Sequence, residues 1–151
     1  MTASDTEQLS LLVGRKRDCL AQLRELGRRQ IELIAAGDLG QLLKVLAGKQ
    51  RLLAGLQTIE HELNPFRDQN PEDRSWRSPA DRDACARLLT HCNSLLAEIM
   101  EQERQSERQL IEHRDEAASR LHGSQAASQA RGAYAAQTHG ITGQIDLSSD
   151  A

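Results

Sequence analysis

The chain has 151 residues, a net charge of −3 and only three aromatic side chains, Phe66, Trp76 and Tyr134. Aromatic rings supply much of the buried area of a compact core. A core here must use Leu, Ile and Ala, which favour helices and fill sandwiches or barrels poorly, so the composition argues against an all-β fold and makes most enzyme architectures less favourable. The charge is +1 over residues 1–63, zero over 64–79, −3 over 80–122 and −1 beyond. No segment carries the basic stripe a nucleic-acid binder uses, and there is no base-stacking platform. No run of about 18 apolar residues is present, so no membrane-inserted helix is expected. The start of the chain has no basic region followed by an apolar stretch, and Cys19, Cys85 and Cys92 form no CxxC pair. These features fit a cytoplasmic protein with free thiols.

In chain order, residues 5–36 predict a first helix. Leu12, Cys19, Leu26 and Leu33 recur every seven residues, Leu9 and Leu23 lie on the adjoining seam position, and Leu20, Ile31 and Ile34 widen the stripe. The width suits an ordinary bundle helix better than a dedicated coiled-coil dimer, although Lys16 and Gln30 interrupt the seam. Gly37 can close this helix in the left-handed conformation. Asp38 is an N-cap for the next, with Gln41 placed to complete a capping box. So short a junction predicts an αα-hairpin.

The second helix covers residues 39–63, with Leu39, Leu42, Leu46, Leu53, Leu56 and Leu63 as its seam and Leu43, Leu52 and Ile59 beside it. Pro65 is expected to stop it. Residues 64–78 read as a Pro-rich loop, where Phe66 and Trp76 either plug one end of the bundle or stand out as anchors for a partner.

Ser78 as N-cap and Pro79 at the first helical position open a third helix, 79–121. Its apolar positions are Cys85, Leu88, Leu89, Cys92, Leu95, Leu96, Ile99, Leu110, Ala117 and Leu121, and the stripe disappears from Glu101 to Gln109. At about 63 Å by the α-helical rise, this helix must outreach its partners or break near the polar stretch. Gly123 separates it from an Ala-rich helix, 124–136, and residues 137–151 read as a flexible tail. The expected fold is all-α. It is an elongated antiparallel three-helix bundle, a helical hairpin plus a long third helix, followed by a small-residue C-terminal helix and a disordered tail. Residues 1–136 form its single domain. Gly14, Gly27, Gly40, Gly48 and Gly55 lie at outward positions of the hairpin, reflecting either a permissive solvated face or a bundle soft enough to reshape around a partner.

No enzyme constellation is legible. There is no Gly-rich phosphate loop, His61-Glu62 is not part of HExxH, and His113 with Glu116 is a single pair without the second that a di-iron bundle needs. Cys85 and Cys92, a heptad apart, read as small core residues. No metal or cofactor is expected. What remains is binding, with an amphipathic helix lying in a groove.

The stretch Ala36-Gly-Asp-Leu-Gly-Gln-Leu-Leu-Lys-Val-Leu-Ala-Gly-Lys-Gln-Arg-Leu-Leu-Ala-Gly-Leu56 resembles the FlgN family of flagellar export chaperones. The similar features are a long first helix, a tight Gly37-Asp38-Leu39 turn and a Leu-rich second helix with Lys49, Gln50, Leu52 and Leu53. A polar loop, a long third helix and a small-residue segment with a tyrosine follow. The resemblance implies a non-enzymatic cytoplasmic chaperone for hook-associated (hook–filament junction) proteins. It would keep them unassembled and deliver them to the flagellar type III export gate and export ATPase complex. The client's C-terminal amphipathic helix would lie against the third helix and C-terminal segment. Leu89, Leu96, Ile99, Leu110, Ala117 and Leu121 would line that groove, with Ala130 and Tyr134 on the mobile part and Tyr134 also a candidate gate contact. Intramolecular packing is the competing role for these residues. The competing function is a self-associating coiled-coil scaffold, and weak homodimerisation is compatible with either; a metal-dependent bundle enzyme has little support.

Overall fold

A computed structural model of the chain describes residues 2–149, with side chains described to residue 137. The fold is all-α: α1 (Ala3–Ala36), α2 (Leu39–Arg67) and α3 (Pro79–Ser149), with a short 3-10 turn at Pro71–Asp73. There is no strand among the described residues. The chain divides into two compact units, Met1–Gln109 and Leu110–Ala151.

The first unit is the three-helix bundle. Helix α1 starts two residues earlier than its apolar stripe predicts, because Thr2 and Asp5 form a reciprocal capping box. This satisfies two of the otherwise unpaired first-turn N–H groups. At the hairpin, Gly37 has φ 70° and is the only described residue with a positive φ. Its N–H donates to Ile34 O and the Asp38 N–H donates to Leu33 O, both at 3.1 Å, a complete Schellman closure. The Asp38 carboxylate then accepts from the Gln41 N–H at 3.2 Å to begin α2. The expected return bond from the Gln41 side chain is not formed, since the Asp38 N–H is already committed to α1.

Helix α2 runs four residues past its expected end and contains Pro65. Proline at this position removes one N–H and disfavours the helical region for Asn64. The last turn is held instead by Arg67, which donates to Asn64 Oδ1 at 2.8 Å and pairs with the Glu60 carboxylate. The connection is therefore shorter than the predicted 64–78 loop, and it lies against the bundle. The Thr6 hydroxyl is 2.7 Å from Ser75 O, Arg74 donates to Phe66 O at 2.8 Å, and Arg77 pairs with Glu7 at 2.6 Å. Phe66 and Trp76 pack against the core, which decides between plug and free anchor. Helix α3 opens as predicted, with the Asp81 N–H donating to the Ser78 hydroxyl at 3.1 Å.

The core cluster gathers Leu9, Leu12, Val13, Leu20, Leu23, Leu63, Leu95 and all three cysteines. Buried positions on α1, Thr6, Leu9, Val13, Leu20, Leu23, Gly27, Gln30 and Ile34, with half-buried Lys16 between Val13 and Leu20, step by three and four, a heptad seam. Helix α3 continues the same spacing through Cys85, Leu88, Cys92, Leu95, Ile99, Gln102, Ser106 and Gln109. The apolar stripe that ends at residue 99 in the sequence is thus carried on by polar residues. Gln102 and Gln109, seven apart, donate Nε2 to the α1 carbonyls of Arg24 at 2.9 Å and Ile31 at 3.4 Å. These carbonyls are also seven apart, and a carbonyl oxygen has a second lone pair beyond its helical bond. With Cys92 reaching Val13 O at 3.8 Å, these bonds set α1 and α3 parallel and in register, with α2 antiparallel to both.

A buried cation completes this layer. Lys49 is 8% exposed, donates to Gln30 Oε1 at 2.7 Å and pairs with Glu103, joining all three helices. Lys16, the seam lysine of α1, pairs with Glu60 at 2.8 Å.

Two of the five hairpin glycines depart from the outward placement the periodicity suggests. Gly27 is buried, and a Cβ there would overlap the Gln102 carboxamide. Gly48 is half-buried, with a Cβ position 3.3 Å from Leu26 Cδ1. Close approach of side chains from neighbouring helices explains both.

The second unit is the remainder of α3, and its described side chains, residues 110–137, are exposed. The expected division into helices 79–121 and 124–136 is not observed, since the helix runs through Gly123 to Ser149. One glycine costs about 1 kcal/mol in a helix, too little to end it where Ala-rich sequence follows and no left-handed cap forms. The expected tail, 137–151, is assigned helix to Ser149, while the side chains of 138–149 and residues 150–151 lie outside the described set.

Gly55→Ala, where a Cβ meets open space, is expected to raise unfolding stability by about 0.5–1 kcal/mol. Gly27→Ala is expected to lower it by about 1 kcal/mol through displacement of Gln102; urea midpoints at unchanged m-value measure both. Glu103→Ala, which leaves Lys49 without its anion, is expected to cost about 1–2 kcal/mol. Lys49→Met combined with Gln30→Leu should recover most of that loss in the same background.

Candidate partner-binding surfaces

Helix α2 has two apolar faces. Its inner one follows Leu42, Val45, Leu52, Leu56, Ile59 and Leu63. A second one, Leu39, Leu43, Leu46 and Leu53, is exposed by 69, 67, 38 and 41%. With Gln50, these residues again step by four and three, the spacing of a seam that packs against another helix. Sequence periodicity alone merges the two faces into one broad stripe, because both are leucine-rich.

The Lys49–Glu103 pair marks where the second face lies. Residues three and four apart on a helix are neighbours. Lys49 is flanked inward by Val45 and Leu52, and outward by Leu46 and Leu53. Glu103 is flanked inward by Ile99 and Ser106, and outward by Met100, which is 56% exposed. Leu46, Leu53 and Met100 therefore border one furrow between α2 and α3. Leu89, 41% exposed, and half-buried Leu96 continue the α3 side of it.

Of the residues singled out in the sequence, Leu96 and Ile99 pack against the core, and Ile99 belongs to the seam facing α1. Leu89 stays exposed. Leu110, Ala117, Leu121, Ala130 and Tyr134 lie in the second unit and are exposed. At 100° per residue, Leu110, Ala117 and Leu121 share one face, whereas Ala130 and Tyr134 lie about 160° and 120° round the helix from Leu110. They do not form one continuous stripe with the first three. Leu39, Leu46 and Leu53, placed by the sequence in the hairpin seam, and Leu43, placed beside it, are the exposed apolar residues that one helix's periodicity misassigns.

Two further concavities of the first unit lie between helices. One, of about 450 Å³, sits at the loop end of the bundle and is lined by Leu11, Trp76, Ala84, Cys85 and Leu88, with Glu7 and Arg77 beside them. Trp76 thus serves both as a plug and as a groove wall. The other, of about 500 Å³, lies between α1 and α2. Its lining combines Leu26, Val45, Gly48 and Leu52 with Gln22, Gln41, Arg29, Lys44 and Arg51.

The cysteines are packing residues. All three are free and buried, Cys19 Sγ donates to Leu52 O at 3.2 Å, and burial pushes the thiols of Cys19 and Cys92 above their ordinary range. Among the described residues, no group of three or more His, Cys, Asp and Glu side chains is gathered as metal ligands, and no helix is long and apolar enough to cross a membrane.

Neither a family model, nor a curated protein, nor a solved structure matches this chain.

Because thiolate is the reactive form and burial opposes it at Cys19 and Cys92, and because Cys85 is shielded from reagent by its own burial, all three are expected to react with a thiol reagent at pH 8 far more slowly in the native protein than in urea. Fast native labelling of all three would contradict the observed packing.

Proposed function

We propose that the chain is a helix-binding export chaperone of the FlgN type. It acts by binding rather than catalysis, in the cytoplasm, without a cofactor. Its client is the C-terminal amphipathic helix of a hook-associated protein, which it keeps from assembling and passes to the flagellar export gate and its ATPase complex. The observation that carries this reading is the second apolar face of α2, Leu39, Leu43, Leu46 and Leu53, bordering the α2–α3 furrow with Met100. A three-helix bundle that leaves a heptad-spaced leucine face uncovered has room for a fourth helix. The Gly37-Asp38-Leu39 turn and the Lys49, Gln50, Leu52, Leu53 run of the family resemblance lie on the same hairpin. Leu89 and Leu96 would contribute to the same furrow. Leu110, Ala117, Leu121, Ala130 and Tyr134 would offer a second contact region on the C-terminal unit, with Tyr134 towards the gate.

A second reading, self-association as a coiled-coil scaffold, is favoured by the same exposed heptad spacing on α2. One experiment separates the two. A peptide from the C-terminal helix of a hook-associated protein should bind with about micromolar affinity and gain helicity. Leu46→Glu with Leu53→Glu should weaken binding at least about tenfold while leaving the thermal midpoint nearly unchanged, since both positions are on the surface. A peptide that does not bind, together with a melting temperature that rises with protein concentration and loses that dependence in the double variant, would establish the scaffold instead.

A further inference from the structure

The α1–α2 groove differs in chemistry from the leucine face. Three cations line it, Arg29, Lys44 and Arg51, and no carboxylate does. Among the described residues, none of the three makes an ion pair, although most other basic side chains of the bundle do; Arg24, Arg28, Lys16 and Lys49 are all paired. The chain as a whole is acidic, so three unpaired cations in one groove are a local reversal of its charge. The floor is apolar, formed by Leu26, Val45 and Leu52. Between Lys44 and Arg51 stands Gly48, where the absence of a Cβ lets Leu26 Cδ1 approach α2 closely. Leu26 therefore closes the floor between the two cations with an apolar surface rather than an open hole.

We infer that this groove binds an acidic amphipathic helix of a protein partner, with one apolar side chain seated over Gly48 and carboxylates on either side facing Lys44 and Arg51. The spacing determines the pattern. Lys44 and Arg51 are seven residues apart, about 10.5 Å along α2, too far for a single carboxylate to bridge. Carboxylates at i and i+7 with an apolar residue at i+3 or i+4 match two cations and the apolar floor between them. Arg29, on α1, adds a third positive group along the opposite wall. Nucleic acid would use the cations but leave the apolar floor without a counterpart, and the groove has no aromatic ring for a base. This site lies apart from the leucine face and does not depend on the identity of the client proposed above.

The probe is a 21-residue helical peptide carrying Glu-x-x-x-Leu-x-x-Glu, compared with its Lys-x-x-x-Leu-x-x-Lys counterpart, with the full-length protein at low salt. The acidic peptide should bind about tenfold more tightly than the basic one, and added salt should weaken it. Lys44→Glu with Arg51→Glu should reverse that preference, and Gly48→Leu should weaken the acidic peptide about tenfold at unchanged charge. Circular dichroism melts establish that the variants fold. Leu46 and Leu53 are left intact, so failure here and failure of client binding are separate results. The inference is overturned if the acidic peptide does not bind, if both peptides bind equally, or if the charge-reversed protein keeps the original preference. It is equally overturned if a single-stranded oligonucleotide of similar length binds more tightly, or if the substitutions alter only self-association.

Discussion

The register of the bundle depends on a polar layer that crosses all three helices. Aliphatic seams attract one another but tolerate sliding by a heptad, since one leucine replaces another. A buried ammonium does not tolerate it, because without partners its desolvation is uncompensated. Lys49 meets Gln30 and Glu103 in only one alignment. The same alignment brings the Gln102 and Gln109 carboxamides onto the α1 carbonyls of Arg24 and Ile31. Above this layer the core is leucine, valine and cysteine; below it the bundle ends at the Gly37–Asp38 junction. The furrow bordered by Leu46, Leu53 and Met100 exists where it does because the layer sets α2 against α3 at that height.

Much of this architecture was readable from local chemistry. The hairpin was legible because Gly37 and Asp38 each have a specific backbone role, and the start of α3 because Ser78 and Pro79 do. The polar layer was less legible. Lys16 and Gln30 looked like flaws in a seam, and residues 101–109 looked polar on every side. Periodicity scored by hydrophobicity does not register Gln102, Ser106 and Gln109, although their positions continue the spacing of Leu95 and Ile99. Whether Gly27 and Gly48 faced water depended on a second helix, which one helix's pattern does not contain. The dihedral preference of Pro65 by itself predicts a stop, and it does not contain the Arg67 side chain that holds the turn around it.

The candidate surfaces divide along the same line. On α3, apolar character alone does not separate core from surface, and the bundle uses Ile99 and Leu96 for itself. The exposed leucines of α2 became visible only once Val45, Leu52 and Leu56 had been assigned to the interior. The two flanks of α2 then differ sharply. One is uncharged and leucine-rich; the other carries Lys44 and Arg51 around a glycine. A helix with partners on one side, a leucine face on a second and cations on a third can hold more than one ligand without forcing them into competition.

The glutamine contacts between α3 and α1 also bear on how this chain can change over generations. Gln102 and Gln109 recognise main-chain oxygens, which every residue possesses, so the side chains at positions 24 and 31 are not specified by the contact. Substitutions at 24 and 31 themselves leave these contacts intact as long as the helix persists, whereas Gly27 and Gln30 between them are held by Gln102 and Lys49. The register rests instead on a sparse set of positions, chiefly Gly27, Gln30, Lys49, Gln102, Glu103 and Gln109. Two chains could therefore share this architecture while agreeing at few aligned residues, and their kinship would be written in spacing more than in identity.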